Sequence, residues 1–468
     1  MRSSLLAASF LTTLFLASGP MLLPQQPPAS ATSPISNDPT RHVSNGPQFQ
    51  FTKIDNNLLA EADAVDAEYE KEALILHDPG VQAYIDGVGN RILAGRPVPE
   101  KVAFRFLVLR DSVVNAYAQA NGTVYVTTGL LALIQNEAQL AAVLAHETSH
   151  VYDRHPYLEN RSIRKKAVAV AVVSIAAEAA LASVSGPFAG AAIYAGSRVS
   201  SIILVESVYG YSREVESQAD RDGIAAMTAA GYDPHAMAAT FALFDTDSTL
   251  EFTPYTTIYQ DHPRLESRRA EALQFAGSNT PDAARTGSEK DYLSAVAPAI
   301  VSNINIDLEC RRPRTAVARA ARLVDALPGD PQFQVLLGES YHALGAKTTQ
   351  PTPDELTPEG EDKQRKMVLK KTEEQEQERL LRTPEGQATL KQNQAAAENL
   401  FLAAIQGRPD YAPAYRELGF LDQDEARYSD AAANYQHYLQ LVAPTSLDRY
   451  RIERRLSQVQ SLQPQQVH

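Results

Sequence analysis

Cysteine is almost absent from this 468-residue chain. Cys310 stands alone, so no intramolecular disulfide and no cysteine-built zinc centre can form. Any metal must be held by histidine and carboxylate. Positive charge is also in deficit: 43 Lys and Arg face 56 Asp and Glu, a formal charge of -13 that would repel a phosphate backbone. Nucleic acid is therefore not expected as a partner. Long hydrophobic runs are scarce as well. An alanine- and valine-rich region over residues 167–205 is uncharged from 179 to 197, but Gly186 and Pro187 divide it. The pieces fall short of the about 20 apolar residues that cross a bilayer. The region reads as a helical hairpin, either packed on the protein or lying in a lipid interface as a peripheral membrane contact. What remains is an ordinary globular composition, 44 % hydrophobic and 21 % charged. At about 150 residues per domain, the length gives room for roughly three domains.

The first residues carry Arg2 and then an apolar run from Leu5 to Leu16, broken at Ser18, Gly19 and Pro20, with small residues at Ala29, Ser30 and Ala31. Residues 1–31 are expected to be a secretory signal, with an uncleaved membrane anchor as the alternative, and 32–55 a polar linker. Either reading exports the chain. No cysteine follows the run to accept a lipid.

Residues 56–300 read as an α+β domain, mainly helical with a small sheet. Helical spacing covers 58–76 and 81–93, with Asp78, Pro79 and Gly80 ending the first helix. Short β-rich stretches at 104–109 and 123–126 flank Asn121 and Gly122. Asn136 then caps a helix in which Leu140, Val143, Leu144 and Val151 form an apolar face. Residues 301–462 read as an all-α domain of tetratricopeptide-like repeats. Tyr415, Leu418, Gly419, Ala431, Tyr435 and Pro444 carry one repeat; Leu337, Gly338 and Tyr341 carry the first helix of another, and Ala397, Phe401, Ala404 and Pro409 a second helix. The small residues let paired helices approach and the aromatic ones fill the groove between them. In an unbroken repeat the alanine would fall at 350 rather than 397, which implies an insertion of 47 residues at about 346–392. Its charged stretch, 363–382, reads as a solvated helix or a partner-binding arm.

His146, Glu147, Thr148, Ser149 and His150 spell HExxH inside the Asn136-capped helix. Residues four apart share a helical face, so both imidazoles can reach one cation while Glu147 points toward a water beside them. Two imidazoles suit zinc, one per chain, and a catalytic zinc needs a third protein ligand. The segment from Ser212, SREVESQADRDG, offers Glu214, Glu216 and Asp220; Glu216 and Asp220 are cofacial, so one could bind and the other orient an imidazole. Spacing alone leaves that choice open.

HExxH at His146, ExxAD at Glu216 to Asp220, and Asp261, His262, Pro263 and Arg268 together resemble the gluzincin family that includes the prenyl-protein CAAX protease and the bacterial heat-shock membrane protease. The periplasmic branch with C-terminal tetratricopeptide repeats has the most similar layout. The resemblance implies zinc held by His146, His150 and Glu216, with Glu147 as the general base. It implies Asp220 behind a ligand imidazole, Arg268 close to the site, and His262 able to occupy the open metal position and hold the enzyme latent. Asn115, Ala116 and Tyr117 resemble an edge strand that pairs with an extended substrate. Arg268 and Tyr117 are candidate oxyanion donors. The implied function is an exported, periplasmic zinc metalloendopeptidase hydrolysing misfolded or stalled envelope proteins, its repeats recruiting substrate or outer-membrane assembly machinery. A periplasmic chaperone or assembly scaffold with a latent zinc site is the alternative, since repeat arrays present concave binding surfaces.

Overall fold

The computed structural model describes residues 50–158, 211, 213–247, 265–277, 285–349 and 373–462. The expected signal, most of the linker, residues 167–205, His262 and part of the insertion lie outside the described residues. The fold is α+β, as expected: a three-stranded sheet is followed, among the described residues, by helices alone. No helix among the described residues is long and apolar enough to cross a membrane.

Helix α1, Lys53–Lys71, opens with a capping box in which Thr52 and Asp55 exchange hydrogen bonds. It ends before Asp78, which does not close α1. Asp78 instead caps α2, Pro79–Leu93: its carboxylate accepts from the Gly80 and Val81 amides, and Pro79 sits where no helical amide is needed. Between the helices Ile75 bridges to Leu109.

Strands β1, Arg105–Leu109, β2, Ala116–Ala118, and β3, Thr123–Thr127, form a sheet in the order β1-β3-β2. β3 is central, parallel to β1 and antiparallel to β2, with Tyr117 opposite Tyr125. Among the described residues, β2 is therefore an edge. Its turn into β3 needs Gly122, which has φ +95 and leaves a Cβ only 2.6 Å from Val102. The Asn121 side chain beside it donates to Asp63 and Asp66 of α1. Asp66 also accepts from Arg105, Thr123 and the Tyr125 hydroxyl, so one buried carboxylate ties α1 to the sheet.

After β3 come α3, Thr128–Leu133, and α4, Glu137–Tyr152, whose Asn136 cap accepts from Gln139 as the sequence predicts. α4 is buried on nearly every side, not on one face, because it sits between α2, the sheet, α5 (Arg213–Ala229) and α6 (Ala236–Asp247). Its alanines let those neighbours close in. Gly223 of α5 does the same from the other side, since a Cβ there would sit 3.0 Å from the backbone nitrogen of His146. α7, Leu265–Ala276, packs against α5 and α6.

Helices α8 (Glu289–Glu309), α9 (Pro313–Ala326) and α10 (Pro331–Leu344) continue the same core, which runs without a break from Val81 to Leu344. α8 crosses residue 300, where the sequence suggested a boundary. Its Asp307 is fully buried and holds Arg312 and Arg319, and Arg312 also donates to Ser112 in the loop before β2.

α11 (Glu373–Leu381), α12 (Pro384–Gly407), α13 (Ala412–Asp424), α14 (Tyr428–Leu441) and α15 (Arg449–Leu462) complete the helical region. α10 and α12 pack tightly although 39 residues separate them in sequence, and the spacing explains how. A Cβ on Gly338 would meet the Phe401 ring at 2.4 Å, and one on Gly419 would meet Tyr435 at 2.5 Å. Both glycine–aromatic pairs are those that the repeat spacing selects. The described end of the insertion folds back: Gln377 of α11 accepts from Ala346 and donates to Leu344, covering the end of α10.

Between the facing helices α10 and α13, burial and then the neighbouring Glu417 push the Glu339 carboxyl up toward neutral pH, against the pull of Arg416. A carboxyl raised in the folded state holds a proton that the unfolded chain releases, so stability falls as pH rises from about 4.5 to about 8. Glu339→Gln should flatten that fall in melting temperatures recorded across this range.

Candidate active site

α4 delivers His146, Glu147 and His150, α5 delivers Glu216 and Asp220, and α7 delivers Arg268. The single helical turn between the histidines of HExxH places His146 Nε2 and His150 Nε2 3.0 Å apart. Glu216 faces both, with Oε2 3.7 Å from His146 Nε2 and Oε1 3.8 Å from His150 Nε2. All three donor atoms lie within 4.8 Å of one another. Donors about 2.0–2.1 Å from a tetrahedral zinc are separated by roughly 3.3–3.4 Å, so this set fits one ion. Among the described residues it is the one group with metal-binding geometry. Glu214 is exposed, and of the two cofacial carboxylates Glu216 faces both Nε2 atoms while Asp220 lies behind His146.

Arg268 holds both the donor carboxylate Glu216 and Asp220 behind it. Its guanidinium donates from Nε and Nη2 to both oxygens of Asp220, at 2.9 and 2.8 Å, and lies 2.9 Å from Glu216 through Nη1. Phe241 covers the guanidinium face, 4.6 Å from ring centre to Cζ. Burial alone would raise the Asp220 carboxyl, but Arg268 and His146 outweigh it and hold it at about 2. Asp220 Oδ1 lies 2.9 Å from His146 Nδ1, off the line of an ideal hydrogen bond. Burial opposes protonation of His146, yet Asp220, Glu216 and Glu147 together raise its pKa.

Glu147 is 6 % exposed. Burial pushes its carboxyl up to about 7; Glu216 adds to this, while His146, Arg268 and a hydrogen bond from the Ala118 amide oppose it. That amide belongs to β2, so the edge strand reaches the candidate base directly. A divalent cation beside Glu147 would lower this value again.

β2 alternates as strands do. Ala116 and Ala118 pack into the core shared with α4, while Tyr117 turns to the opposite face, where its ring meets Tyr125 and its hydroxyl is 2.8 Å from that of Tyr69. Tyr117 is thus directed away from Glu147 as a candidate oxyanion donor, and Arg268 is committed to two carboxylates. Asn115 is buried, and its amide donates to Thr127. Two residues escaped the sequence reading. Tyr211 stacks on His150 at 4.2 Å with an 18° tilt, and His155 is buried with Nδ1 2.9 Å from His150 Nδ1. Burial lowers His155 to about 4. His155 lies beyond the helix end, after Arg154 at φ 59, so no helical spacing announces it.

The family model for peptidase family M48 matches residues 79–276, a span that takes in α4, α5, the sheet and α7. Residues 79–276 are a peptidase family M48 domain. The chain is 29 % identical over 292 residues to the putative beta-barrel assembly-enhancing protease of Vibrio cholerae, covering 62 % of this chain and 58 % of the relative. It is 30 % identical over 222 residues to the beta-barrel assembly-enhancing protease of Escherichia coli K12, covering 47 % and 44 %. The mitochondrial metalloendopeptidase OMA1 of Schizosaccharomyces pombe is 27 % identical over 255 residues, covering 54 % and 65 %. The chain thus spans about half the length of the bacterial relatives it matches.

Proposed function

We propose that the chain is a zinc metalloendopeptidase that cleaves proteins of the bacterial envelope, and the convergence of His146, His150 and Glu216 on one point carries this reading. Two imidazoles and one carboxylate are a donor set suited to catalytic zinc, with a fourth position left for the reaction. The chemistry such an ion supplies when bound is Lewis acidity, which polarises a peptide carbonyl and makes water acidic enough to deprotonate near neutral pH. Glu147 accepts that proton and returns it to the leaving amine, a role matched by a buried carboxyl that titrates near neutrality. Asp220 and Arg268 hold His146 and Glu216 in place.

The open edge of β2 supports a substrate bound in extended form through main-chain hydrogen bonds, with Asn115 and Ala116 at its start. The same strand then aligns the scissile bond beside Glu147, because the Ala118 amide fixes the spacing between strand and carboxylate. The names of the bacterial relatives support a periplasmic role in outer-membrane protein assembly, with the repeat-like helices recruiting substrate or assembly machinery. His262 is proposed as the residue that holds the site latent.

The test is metal content and casein cleavage of the exported form. About one zinc per chain is expected, with cleavage lost on chelation and restored by added zinc. Cleavage that survives complete metal removal would sink the reading.

A further inference from the structure

His155 is the buried group of this centre that the proposed reaction leaves unused. The geometry points to a positioning role: His155 accepts the Nδ1 proton of His150 and so fixes the tautomer in which His150 Nε2 faces the metal position. This inference rests on the zinc reading above.

The argument is one of proton counting. His150 Nε2 points at His146 Nε2 and Glu216, and a neutral imidazole can offer a lone pair there only if its proton sits on Nδ1. His150 Nδ1 lies 2.9 Å from His155 Nδ1. Two ring nitrogens at that separation share one proton, so the one on His150 requires a bare Nδ1 on His155. His155 then carries its own proton on Nε2, and its ring interacts with the side chain of Gln218. Gln218 lies on α5 midway between Glu216 and Asp220, so the relay runs from one ligand helix back to the other.

Packing restrains the rings. Tyr211 stacks on His150 and also lies 5.9 Å from the His155 ring, and His155 is 3 % exposed. The two ligand histidines are consequently unlike. His146 is backed by a carboxylate, which makes it the more basic ligand, whereas His150 is backed by a neutral ring that orients it without adding charge.

Zinc affinity, measured by competition with a chromogenic chelator on the full chain, separates this role from a structural one. His155→Leu fills the space but cannot accept a proton, and a loss of about 10–100-fold in zinc affinity is expected. His155→Asn places an amide oxygen close to the former Nδ1 and should recover most of that loss, while the metal-free melting temperatures of the two variants should not separate in the same order. Unchanged zinc affinity in the Leu variant, or equal losses in both, would overturn the inference. If the Leu variant does not fold, 15N spectra of the zinc-loaded wild type decide. A proton on His150 Nδ1 with an unprotonated His155 Nδ1 supports the relay, and a protonated His155 Nδ1 removes it. A wild-type chain that binds no zinc would overturn the zinc reading instead.

Discussion

Glu147→Gln is expected to reduce kcat for casein by about 10²–10⁴-fold while zinc still binds at one per chain. The amide has nearly the shape of the carboxylate, so packing against α5 and the sheet is preserved, but it cannot take a proton from water at neutral pH. None of the three proposed ligands is touched. The result is read from two measurements on one preparation, metal content and turnover. Full activity in the variant would remove Glu147 from the mechanism. Full biological function combined with abolished turnover would favour the scaffold reading.

The largest stability effect is expected at Arg268. Its side chain is 9 % exposed and compensates two carboxylates, Glu216 and Asp220, which are themselves buried. Arg268→Leu leaves both uncompensated and should cost about 3–5 kcal/mol in the metal-free protein, read from urea midpoints. The acid response carries the same signature. Asp220 titrates at about 2 when folded against an ordinary 3.8, so its contribution is complete above about pH 4 and is lost as pH falls toward 2. In the Leu variant that loss should begin at higher pH. Arg268→Lys keeps a charge without the two-pronged geometry and should fall between the two. Wild-type stability in the Leu variant would show that the carboxylates find another partner.

Short-range features of the chain were legible in its residues. HExxH announces itself because two imidazoles four apart must share a helical face, and the glycine–aromatic spacing of Gly338 and Phe401 survives a long insertion because the pair must still touch. The carboxylate that completes the candidate site was not chosen by spacing: Glu214 and Glu216 lie on one helix, and only the packing of α5 on α4 decides which of them faces inward. Asp78, Pro79 and Gly80 read as a stop although they form a start, since the same residues serve both ends of helices until the strand bridge at Ile75 is known. β2 is three residues of alanine and tyrosine, too short for any periodicity, and came to light through resemblance. His155 and Tyr211 lie outside the helices that carry the motif, so their approach to His150 is a product of tertiary packing alone.

The unbroken core from Val81 to Leu344 has a consequence for how the protein opens. Local unfolding proceeds in cooperative units bounded by where buried contacts cease, not by where function changes. α4, with the candidate base, and α8 to α10, which begin the helical region, belong to one such unit, and Arg312 joins it to the loop before the edge strand. Amides of α4 and α10 therefore exchange hydrogen together, at the free energy of the whole unit. No break falls at residue 300, which lies inside a continuous helix, and α10 is in turn packed against α12 through Gly338 and Phe401.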